Sequence, residues 1–464
     1  MIIRNLDTLL SHGNIEGRRV VLDILEAALP APDAYENTKK VVRLEGNRLI
    51  IGNPELSEPA GQEPVEYDLD DINNIYVVGG GKSAQKIALA LEDVLGDLIT
   101  DGQVNTKKGD EILCKRVKIT LAGHPMPDKD SVSGAARMLE MEKSAGKGDI
   151  VFYVTSGGGS ALKALPAPGI SLEDLQAIYR ILYFGCGASM PEANAVRNLV
   201  TVVRMKHAKY VKDAVLVKLE ATELPMKLRG HLFFEQPFDS EYDRAIYVLK
   251  KYDIWDTVPA SVREYLLRAD PRYLNPTPEE MTQRPFYSFR VMGPEYLLNA
   301  AEARAKELGL NTAVLATSLN DVEAQPTGEI LACIAQEAEE IGRPLEPPCV
   351  FICGGEVVVP IGEENGSGGR NQELVLAAAR RIAKSESIVI GSADSDGTDG
   401  PTDVAGGIAD GFTVERVRQA GFNLDEEMKR HNSHPVMEAL GDTINTGNIG
   451  NNVRDLRVVY IGKP

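Results

Sequence analysis

A strand, a glycine-rich loop and a helix follow one another twice in the first half of the chain, and this order constrains the fold more than any other feature. The apolar run at 75–78 leads into a glycine loop at 79–82 and then into a stretch with apolar residues at helical spacing. The apolar run at 150–154 leads in the same way into a glycine loop at 156–160. Strands that alternate with helices form mainly parallel sheets covered on both faces. We therefore predict three-layer α/β/α domains that bind ligands beyond the carboxyl ends of their strands.

The second half of the chain continues the alternation. Four more apolar runs predict strands, at 312–316, 350–353, 387–390 and 456–461, and a glycine-rich segment at 362–369 precedes a predicted helix. A chain of 464 residues is long enough for two or three domains. An irregular, proline-bearing stretch ends near 285, so we predict a Rossmann-like N-terminal domain at 1–285 and a C-terminal α/β domain at 286–464. The active site is expected in the cleft between them, and the first helix is a candidate to pack on the C-terminal domain.

Composition excludes several classes of function. The chain has 50 Lys and Arg against 68 Asp and Glu, and its net charge of −18 repels nucleic acid and anionic membranes. No apolar run is long enough for a spanning helix, and no signal-peptide pattern occurs at the N-terminus. The five cysteines form neither a disulfide framework nor a zinc site. We therefore predict a cytoplasmic protein that binds neither nucleic acid nor membrane.

The two glycine loops of the first half are candidates for an anion site. Lys82 begins a helix, where a cation adds to the positive helix end and favours bound phosphate, although a solvated lysine is the alternative. The three glycines between Ser156 and Ser160 let successive N–H groups converge on an oxyanion, whereas a plain turn would need only two glycines. The loop at 79–82 is too short for a Walker A motif and matches the dinucleotide pattern only loosely.

Three further segments carry charged groups. Residues 191–197 supply an acid, an amide and a guanidinium suited to a carboxylate, or form a surface turn that enters a helix. Arg370 stands where glycine backbone meets a helix start and can clamp a phosphoryl group or pair with Glu373. The acidic segment at 394–403 fails the spacing of a calcium loop but suits Mg²⁺, with a structural turn as the alternative.

These segments provide the candidate site residues. The predicted catalytic residues are Lys82 and Arg370. The predicted phosphate- and nucleotide-binding residues are Gly79, Gly80, Gly81, Ser156, Gly157, Gly158, Gly159, Ser160, Gly368, Gly369 and Asn371. The predicted substrate-binding residues are Glu192, Asn194 and Arg197, and the predicted metal ligands are Asp396, Asp399 and Asp403.

Eight motifs in this order resemble the glycerate 2-kinase family, whose C-terminal part is called the MOFRL domain. They are GGGKSA at Gly79, LAGHPMPD at Leu121, TSGGGSAL at Thr155, PEANAVR at Pro191, GGE at Gly354, GGRNQEL at Gly368, DGTDGPTD at Asp396 and TGNIGNNVRDL at Thr446. The resemblance covers nearly the whole chain and implies ATP, Mg²⁺ and phosphorylation of glycerate at its 2-hydroxyl. It also implies that Lys82 and Arg370 are the catalytic pair. Two alternatives stay open: an NAD(P)H-dependent hydroxypyruvate reductase and a non-catalytic binder of nucleotides or sugar phosphates.

The chain departs from the family pattern in several places. Asn198 and Leu199 stand where the family has Lys-His, and the sequence at 204–206 replaces a Lys-Gly-Gly. RGHLFFEQPFD at 229–239 stands where a Ser-Gly-Pro-Thr loop is expected, and the late loop at 446–453 is also altered. These changes predict a shifted substrate such as a longer sugar acid or a hydroxyketone, altered nucleotide handling, or a kinase that has lost activity. A small hydroxy acid is the expected partner, and the sequence leaves the oligomeric state open, a homodimer included.

Overall fold

The computed structural model describes residues 1–203, 206–223, 238–281, 283–361 and 366–463. These residues divide into two compact domains. The N-terminal domain holds residues 34–221 and 238–291, and the C-terminal domain holds residues 1–33, 222–223 and 292–463. The first two helices, α1 (Leu6–Leu9) and α2 (Ile15–Ala28), belong to the C-terminal domain. No helix in the described ranges is long and apolar enough to cross a membrane.

The domain boundary differs from the predicted one at 285/286. A strand at Phe286–Met292 belongs to the sheet of the N-terminal domain, and the amide of Leu216 donates to the carbonyl oxygen of Pro285 at 3.0 Å. The boundary was placed too early because an apolar run indicates a strand but carries no information on which sheet it joins. The first helix of the sequence prediction, α2, contacts α13 (Pro294–Glu307) and strands of the C-terminal sheet, in agreement with its place as a candidate to pack on the C-terminal domain.

The N-terminal domain is built around a parallel sheet. Its strands are β1 (Val42–Glu45), β2 (Arg48–Ile51), β3 (Val65–Asp68), β4 (Asn74–Gly80), β5 (Ile99–Lys107), β6 (Lys118–Ala122), β7 (Asp149–Thr155), β8 (Val215–Ala221) and β9 (Phe286–Met292). Its helices are α3 (Ala34–Val41), α4 (Ala84–Leu95), α5 (Lys129–Ser144), α6 (Gly159–Leu162), α7 (Leu172–Arg180), α8 (Met190–Arg197), α9 (His207–Tyr210), α10 (Glu241–Lys251), α11 (Ala260–Arg268) and α12 (Pro278–Met281).

The main sheet of this domain has the strand order β6-β5-β4-β7-β8-β9 within the described residues, and every pair from β6 to β8 is parallel. Strands β1, β2 and β3 form a separate antiparallel sheet. Strand β7 is buried along residues 149–154, as expected for a strand covered on both faces. Because β4 and β7 are parallel neighbours, the two glycine loops that follow them leave the sheet at the same edge.

The C-terminal domain contains a mixed sheet. Its strands are β10 (Asn311–Ala316), β11 (Cys349–Gly355), β12 (Ile388–Asp394), β13 (Gly406–Asp410), β14 (Thr443–Ile444) and β15 (Asp455–Ile461). Its further helices are α13 (Pro294–Glu307), α14 (Ala324–Ile341), α15 (Arg370–Arg381), α16 (Thr413–Gln419), α17 (Leu424–Lys429) and α18 (Ser433–Leu440). The strand order is β10-β11-β15-β12-β13-β14 in the described residues.

Helices cover both faces of the C-terminal sheet. Ile390 packs in a core with α14 and α15, whereas its neighbour Gly391 faces α2, where a Cβ atom would lie 2.6 Å from Val21 Cγ1. Successive residues of a strand point to opposite faces, so this alternation places one helical layer on each side. The predicted fold class, two α/β domains, is confirmed.

The direction of the strands in the C-terminal sheet needs a correction. Among the described strands of this sheet, only β10 and β11 form a parallel pair, because β15 inserts antiparallel between β11 and β12, and β13 runs antiparallel to β12. The connection at 395–405 contains no crossover helix, and a parallel pair would require one. The alternation of strands and helices along the sequence did not reveal these antiparallel neighbours.

Candidate active site

The carboxyl ends of β4 and β7 bring the two glycine loops of the N-terminal domain together. The amide N–H of Lys82 donates to the carbonyl oxygen of Gly157 at 2.9 Å, and the amide of Ser83 donates to Ser156 Oγ at 2.9 Å. The structure thus joins two segments that are about 75 residues apart in the chain, as the parallel order of their strands requires.

Close contact between the loops requires glycine. Gly79 and Gly81 both have φ of 147°, and Cβ atoms there would lie 1.8 Å from the carbonyl oxygen of Val154 and 2.2 Å from Ser156 Oγ. Gly80 is also confined, since its Cβ atom would lie 2.6 Å from the carbonyl oxygen of Asn105. Any side chain at these positions would push the two loops apart.

The second loop presents main-chain donors. Gly158 has φ of 81° and precedes α6, which begins at the buried Gly159, and Ser160 lies in its first turn. In the part of the chain that the structure describes, the amides of Gly157 and Gly158 have no main-chain acceptor, and Gly157 is exposed. Successive N–H groups next to a left-handed residue form a concavity that binds anions.

Positive charge gathers around this loop. Lys82 is exposed, and its side chain lies against Gly158, where a Cβ atom would be 3.3 Å from Lys82 Cγ and 3.0 Å from His124 Nε2. Burial lowers the pKa of His124, and the positive charges of Lys82, Lys107 and Arg197 lower that pKa further. The loop region is therefore cationic although the whole chain carries a net charge of −18.

A buried lysine lies beneath both loops. Lys163 is 1% exposed, and its ammonium donates to Tyr153 Oη at 2.6 Å and to Thr155 Oγ1 at 3.1 Å. A Cβ atom at Gly159 would lie 3.0 Å from Lys163 Cε, and one at Gly80 would lie 3.0 Å from Lys163 Cγ. The side chain of Lys163 thus packs under the backbone that would hold an anion.

Arg197 contributes only the positive charge of a buried side chain to this region. Its guanidinium is 0% exposed, donates to Tyr183 Oη and Asn194 Oδ1, and lies over the rings of Tyr179 and Tyr183 with its Cζ 5.3 and 4.6 Å from their centroids. Direct contact of Arg197 with a substrate carboxylate, as predicted, is not supported by this geometry, and the Oδ1 atom of Asn194, also a predicted substrate-binding residue, accepts from Arg197. The positive charge of Arg197 is one of those that lower the pKa of His124.

Glu192 has a structural role instead of the predicted one. It forms a capping box with Ser189 at the start of α8, and it accepts from Lys251 Nζ at 2.6 Å and Tyr252 Oη at 2.8 Å. Against the effect of burial, hydrogen bonds from Lys251 and Ser189 lower the pKa of Glu192 to about 2. The carboxylate is therefore fully used in joining α8 to α10.

Arg370, in the C-terminal domain, lies within a group of carboxylates. Its guanidinium donates to Asp394 and to both oxygens of Asp455 at 3.0 and 3.1 Å, and it lies 3.6 Å from Glu356. Burial and the charge of Asp455 raise the pKa of Asp394 well above its ordinary value, against the effect of Arg370. Glu373, which the sequence offered as the alternative partner of Arg370, accepts from Gln325 and His431.

The predicted metal ligands are not grouped together. Asp399 is 0% exposed, and its two oxygens accept four N–H groups of Asn371 and Gln372 at 3.0–3.1 Å, which caps α15. Asp396 accepts from the amide and hydroxyl of Thr398, both at 2.8 Å, and Asp403 is exposed. Within the described ranges, no three His, Cys, Asp or Glu side chains lie close enough to hold a metal ion.

Asn371 is likewise committed to the fold. It is 0% exposed, and its side chain bonds to Asp399, Asp455 and Ser392, so the predicted contact with a nucleotide is not supported. Unlike Asn371, Gly368 and Gly369 border open space, because with Arg370 they line a cavity of about 440 Å³. The cavity wall also includes the apolar side chains Val357, Val358, Val359 and Ile361.

Some sequence predictions fall partly outside the described residues. These are the glycine-rich segment before Gly366 and the departures at Arg204, Met205 and 229–237. Of the remaining departures, Leu199 is a core residue, and Lys206 is buried with its ammonium donating to the carbonyl oxygen of Thr201 at 2.8 Å. Burial lowers the pKa of Lys206 to about 7.

Sequence reasoning missed three residues of the loop region. His124 belongs to the motif LAGHPMPD, and its place directly after β6 was the available signal for a site residue. Lys107 ends β5 at the same edge of the sheet. Lys163 follows the second loop, and nothing in its local sequence indicates that its side chain turns back beneath the glycines.

The fold and the loops define a class: a two-domain α/β protein with a cationic, glycine-lined anion site at the edge of a parallel sheet. Residues 20–219 match the family model "Domain of unknown function (DUF4147)", and residues 349–455 match the MOFRL family. The chain is 34% identical over 446 residues to the glycerate 2-kinase of Pyrococcus horikoshii, covering 96% of this chain and 97% of that one.

Two further comparisons agree. The D-glycerate 2-kinase of Thermotoga maritima is 35% identical over 397 residues, covering 84% of this chain and 91% of that one. A crystal structure of a glycerate kinase from Thermotoga maritima superposes with a TM-score of 0.79 at 31% identity, covering 96% of this chain and 99% of that one. The chain belongs to the glycerate 2-kinase family, and the resemblance found in its motifs is confirmed.

Proposed function

We propose that this protein is a cytoplasmic kinase that transfers the γ-phosphoryl group of ATP to the 2-hydroxyl of glycerate. The observation that carries this proposal is the meeting of two glycine loops with Lys82 at one sheet edge, in a chain whose relatives are named glycerate 2-kinases. The five cysteines, all free, fit the reducing environment of the cytoplasm.

The N-terminal site supplies what phosphoryl transfer needs. Such reactions depend on positioning and on neutralising the charge of the transferring group. In the described residues the amides of Gly157 and Gly158 have no main-chain acceptor, and the exposed side chain of Lys82 lies against Gly158, so these groups are available to an anion. The buried charges of Arg197 and Lys163 add to the positive potential without needing to touch the substrate.

For the nucleotide we propose the cavity beside Arg370. Its apolar wall of Val357, Val359 and Ile361 suits an aromatic base, and the backbone of Gly368 and Gly369 allows close approach of a phosphate. The predicted position of the active site in a cleft between the domains stays a prediction.

The carboxylates of the segment at 394–403 suit Mg²⁺ only if the ion binds together with the substrate phosphates. One or two carboxylates then hold the ion, and water and phosphate oxygens complete its shell. Asp396 and Asp403 suit this role because Asp396 has one oxygen without a hydrogen bond in the described residues and Asp403 is exposed. Asp399 does not suit it, since its oxygens already accept four N–H groups. When bound, the ion would neutralise phosphate charge.

The proposal predicts ADP release that depends on both glycerate and Mg²⁺. A coupled ADP-release assay over short hydroxy acids and ketoses measures it, and ³¹P NMR of the product identifies the hydroxyl that receives the phosphoryl group. Oxidation of NADH with hydroxypyruvate serves as the control for a reductase and should not occur. Thermal stabilisation by ATP without product from any acceptor would instead indicate a non-catalytic nucleotide binder and would contradict the proposal.

A further inference from the structure

We propose that His124 accepts the proton of the substrate hydroxyl during phosphoryl transfer. This inference rests on the proposed kinase function and supplies the proton acceptor that the loops and cations lack.

The position of His124 places its ring at the anion site. It follows β6 in chain order, yet its Nε2 lies 3.0 Å from where a Cβ atom of Gly158 would be, and Lys82 Cγ lies 3.3 Å from the same point. The imidazole and the lysine therefore flank the open side of Gly158. His124 is exposed, and within the described part of the chain neither ring nitrogen has a hydrogen-bond partner.

The positive charges that act on His124 come from three elements. Lys82 belongs to the loop after β4, Lys107 ends β5, and Arg197 ends α8. Burial and these three charges keep the pKa of His124 below 6.5, so the ring is neutral at pH 7. A neutral imidazole has one nitrogen lone pair, whereas ammonium and guanidinium groups have none. His124 is thus the member of this cluster that can accept a proton.

The carboxylate closest in sequence is a poor alternative. Asp128 accepts from Ser131 N at 2.9 Å and from Lys108 Nζ at 2.6 Å. Against the effect of burial, these hydrogen bonds lower the pKa of Asp128 to about 2. It is therefore both occupied as the cap of α5 and weakly basic.

Proton transfer to His124 and phosphoryl transfer from ATP to the substrate hydroxyl need no further reactant. The O–H bond of the substrate hydroxyl breaks, and its proton passes to the lone pair of neutral His124. The hydroxyl oxygen bonds to the γ-phosphorus of ATP, the bond from that phosphorus to the β,γ-bridging oxygen breaks, and ADP leaves with the electron pair. Because His124 is exposed and surrounded by cations, the imidazolium returns its proton to water.

The test uses His124→Gln, which keeps a polar side chain but cannot take up a proton. We expect kcat to fall about 10²-fold, the lower end of what a general base contributes, with little change in KM. Wild-type kcat/KM should decline as pH falls through an inflection below 6.5, since protonation removes the acceptor, and this acid limb should vanish in the variant. In a second variant, His124→Ala, added imidazole should restore part of kcat.

The possible outcomes separate the two proposals. A wild-type protein that phosphorylates glycerate, together with a His124→Gln variant that keeps wild-type kcat and the same acid limb, would overturn the role of His124 alone. A His124→Ala variant that is inactive and is not rescued by imidazole, while melting at the wild-type temperature, would also overturn it. A wild-type protein that yields no product with any hydroxy acid would overturn the proposed function itself.

Discussion

Replacement of Lys82 with methionine is expected to lower kcat by about 10²- to 10³-fold, as the loss of one preorganised group that stabilises transition-state charge does in other enzymes. Methionine keeps the apolar stem that packs on Gly158 and removes only the charge. The ammonium of Lys82 has no hydrogen-bond or ion-pair partner among the described residues, and it shares its surroundings with other cations. Positive groups placed together in this way repel one another unless an anion binds between them.

The control for this variant is Lys147→Met. Lys147 is also exposed and lies just before β7, so it sits at the opposite end of the strand that leads into the second glycine loop. Both variants remove one positive charge from the same domain, and both should melt within a few degrees of the wild-type temperature. Steady-state kinetics should show wild-type kcat for Lys147→Met. A kcat for Lys82→Met within about twofold of wild type, far from the loss assigned to such a group, would show that its role is misassigned.

Replacement of Arg370 with methionine is expected to cost about 3–5 kcal/mol of stability, the usual penalty for removing one partner of a buried ion pair. The guanidinium is 17% exposed, and its removal leaves Asp394 without its cation, whereas Glu356 keeps Arg454 at 3.7 Å and Asp455 keeps a bond from Arg457 at 2.7 Å. Calorimetric unfolding measures the effect, and kcat of Arg370→Lys, which keeps the charge, reports separately on the predicted catalytic role.

Two comparisons distinguish this loss from a general effect of the substitution. Arg381→Met changes an exposed arginine of the same helix that pairs with Glu329 at 3.1 Å, and it should cost less than about 1 kcal/mol. The pKa of Asp394 is already raised by burial and by Asp455, so this carboxyl protonates readily when Arg370 is absent. The Arg370→Met variant should therefore lose less stability at pH 5 than at pH 8. An equal loss at both pH values would contradict the electrostatic explanation.

The loops of the N-terminal domain could be predicted from sequence because their positions follow from local rules. Apolar runs mark β4 and β7, parallel neighbours end at the same edge, and glycines mark close backbone approach. Lys82 and the loop at 156–160 were therefore correctly expected to lie together.

Polar residues whose partners are distant in sequence could not be assigned in this way. Asp399 was expected to bind metal, but it caps a helix that begins 29 residues earlier in the chain. Glu192 pairs with Lys251, and Arg370 with Asp455, across similar or larger separations. The sequence does not show whether a carboxylate in a loop binds a metal ion, pairs with a basic side chain or caps a helix. Only the tertiary structure decides among these roles.

His124 was left out of the predicted site although the structure places it beside the second glycine loop. Its motif was noted for the resemblance it carries, but six scattered histidines gave no sign of a cluster. Lys82 and Gly158 lie beside its ring and the charges of Lys107 and Arg197 act on it, and these residues come together only when the sheet assembles.

The most direct test is NMR titration of ¹⁵N-glycine-labelled protein with a non-hydrolysable ATP analogue in the presence of glycerate. If the second glycine loop holds the anion, the amide resonances of Gly157 and Gly158 will shift and saturate. The amide of Gly46, in an open turn of the same domain, will not move. Saturable binding by calorimetry with unchanged resonances at Gly157 and Gly158 would contradict the assignment of the anion site to these loops.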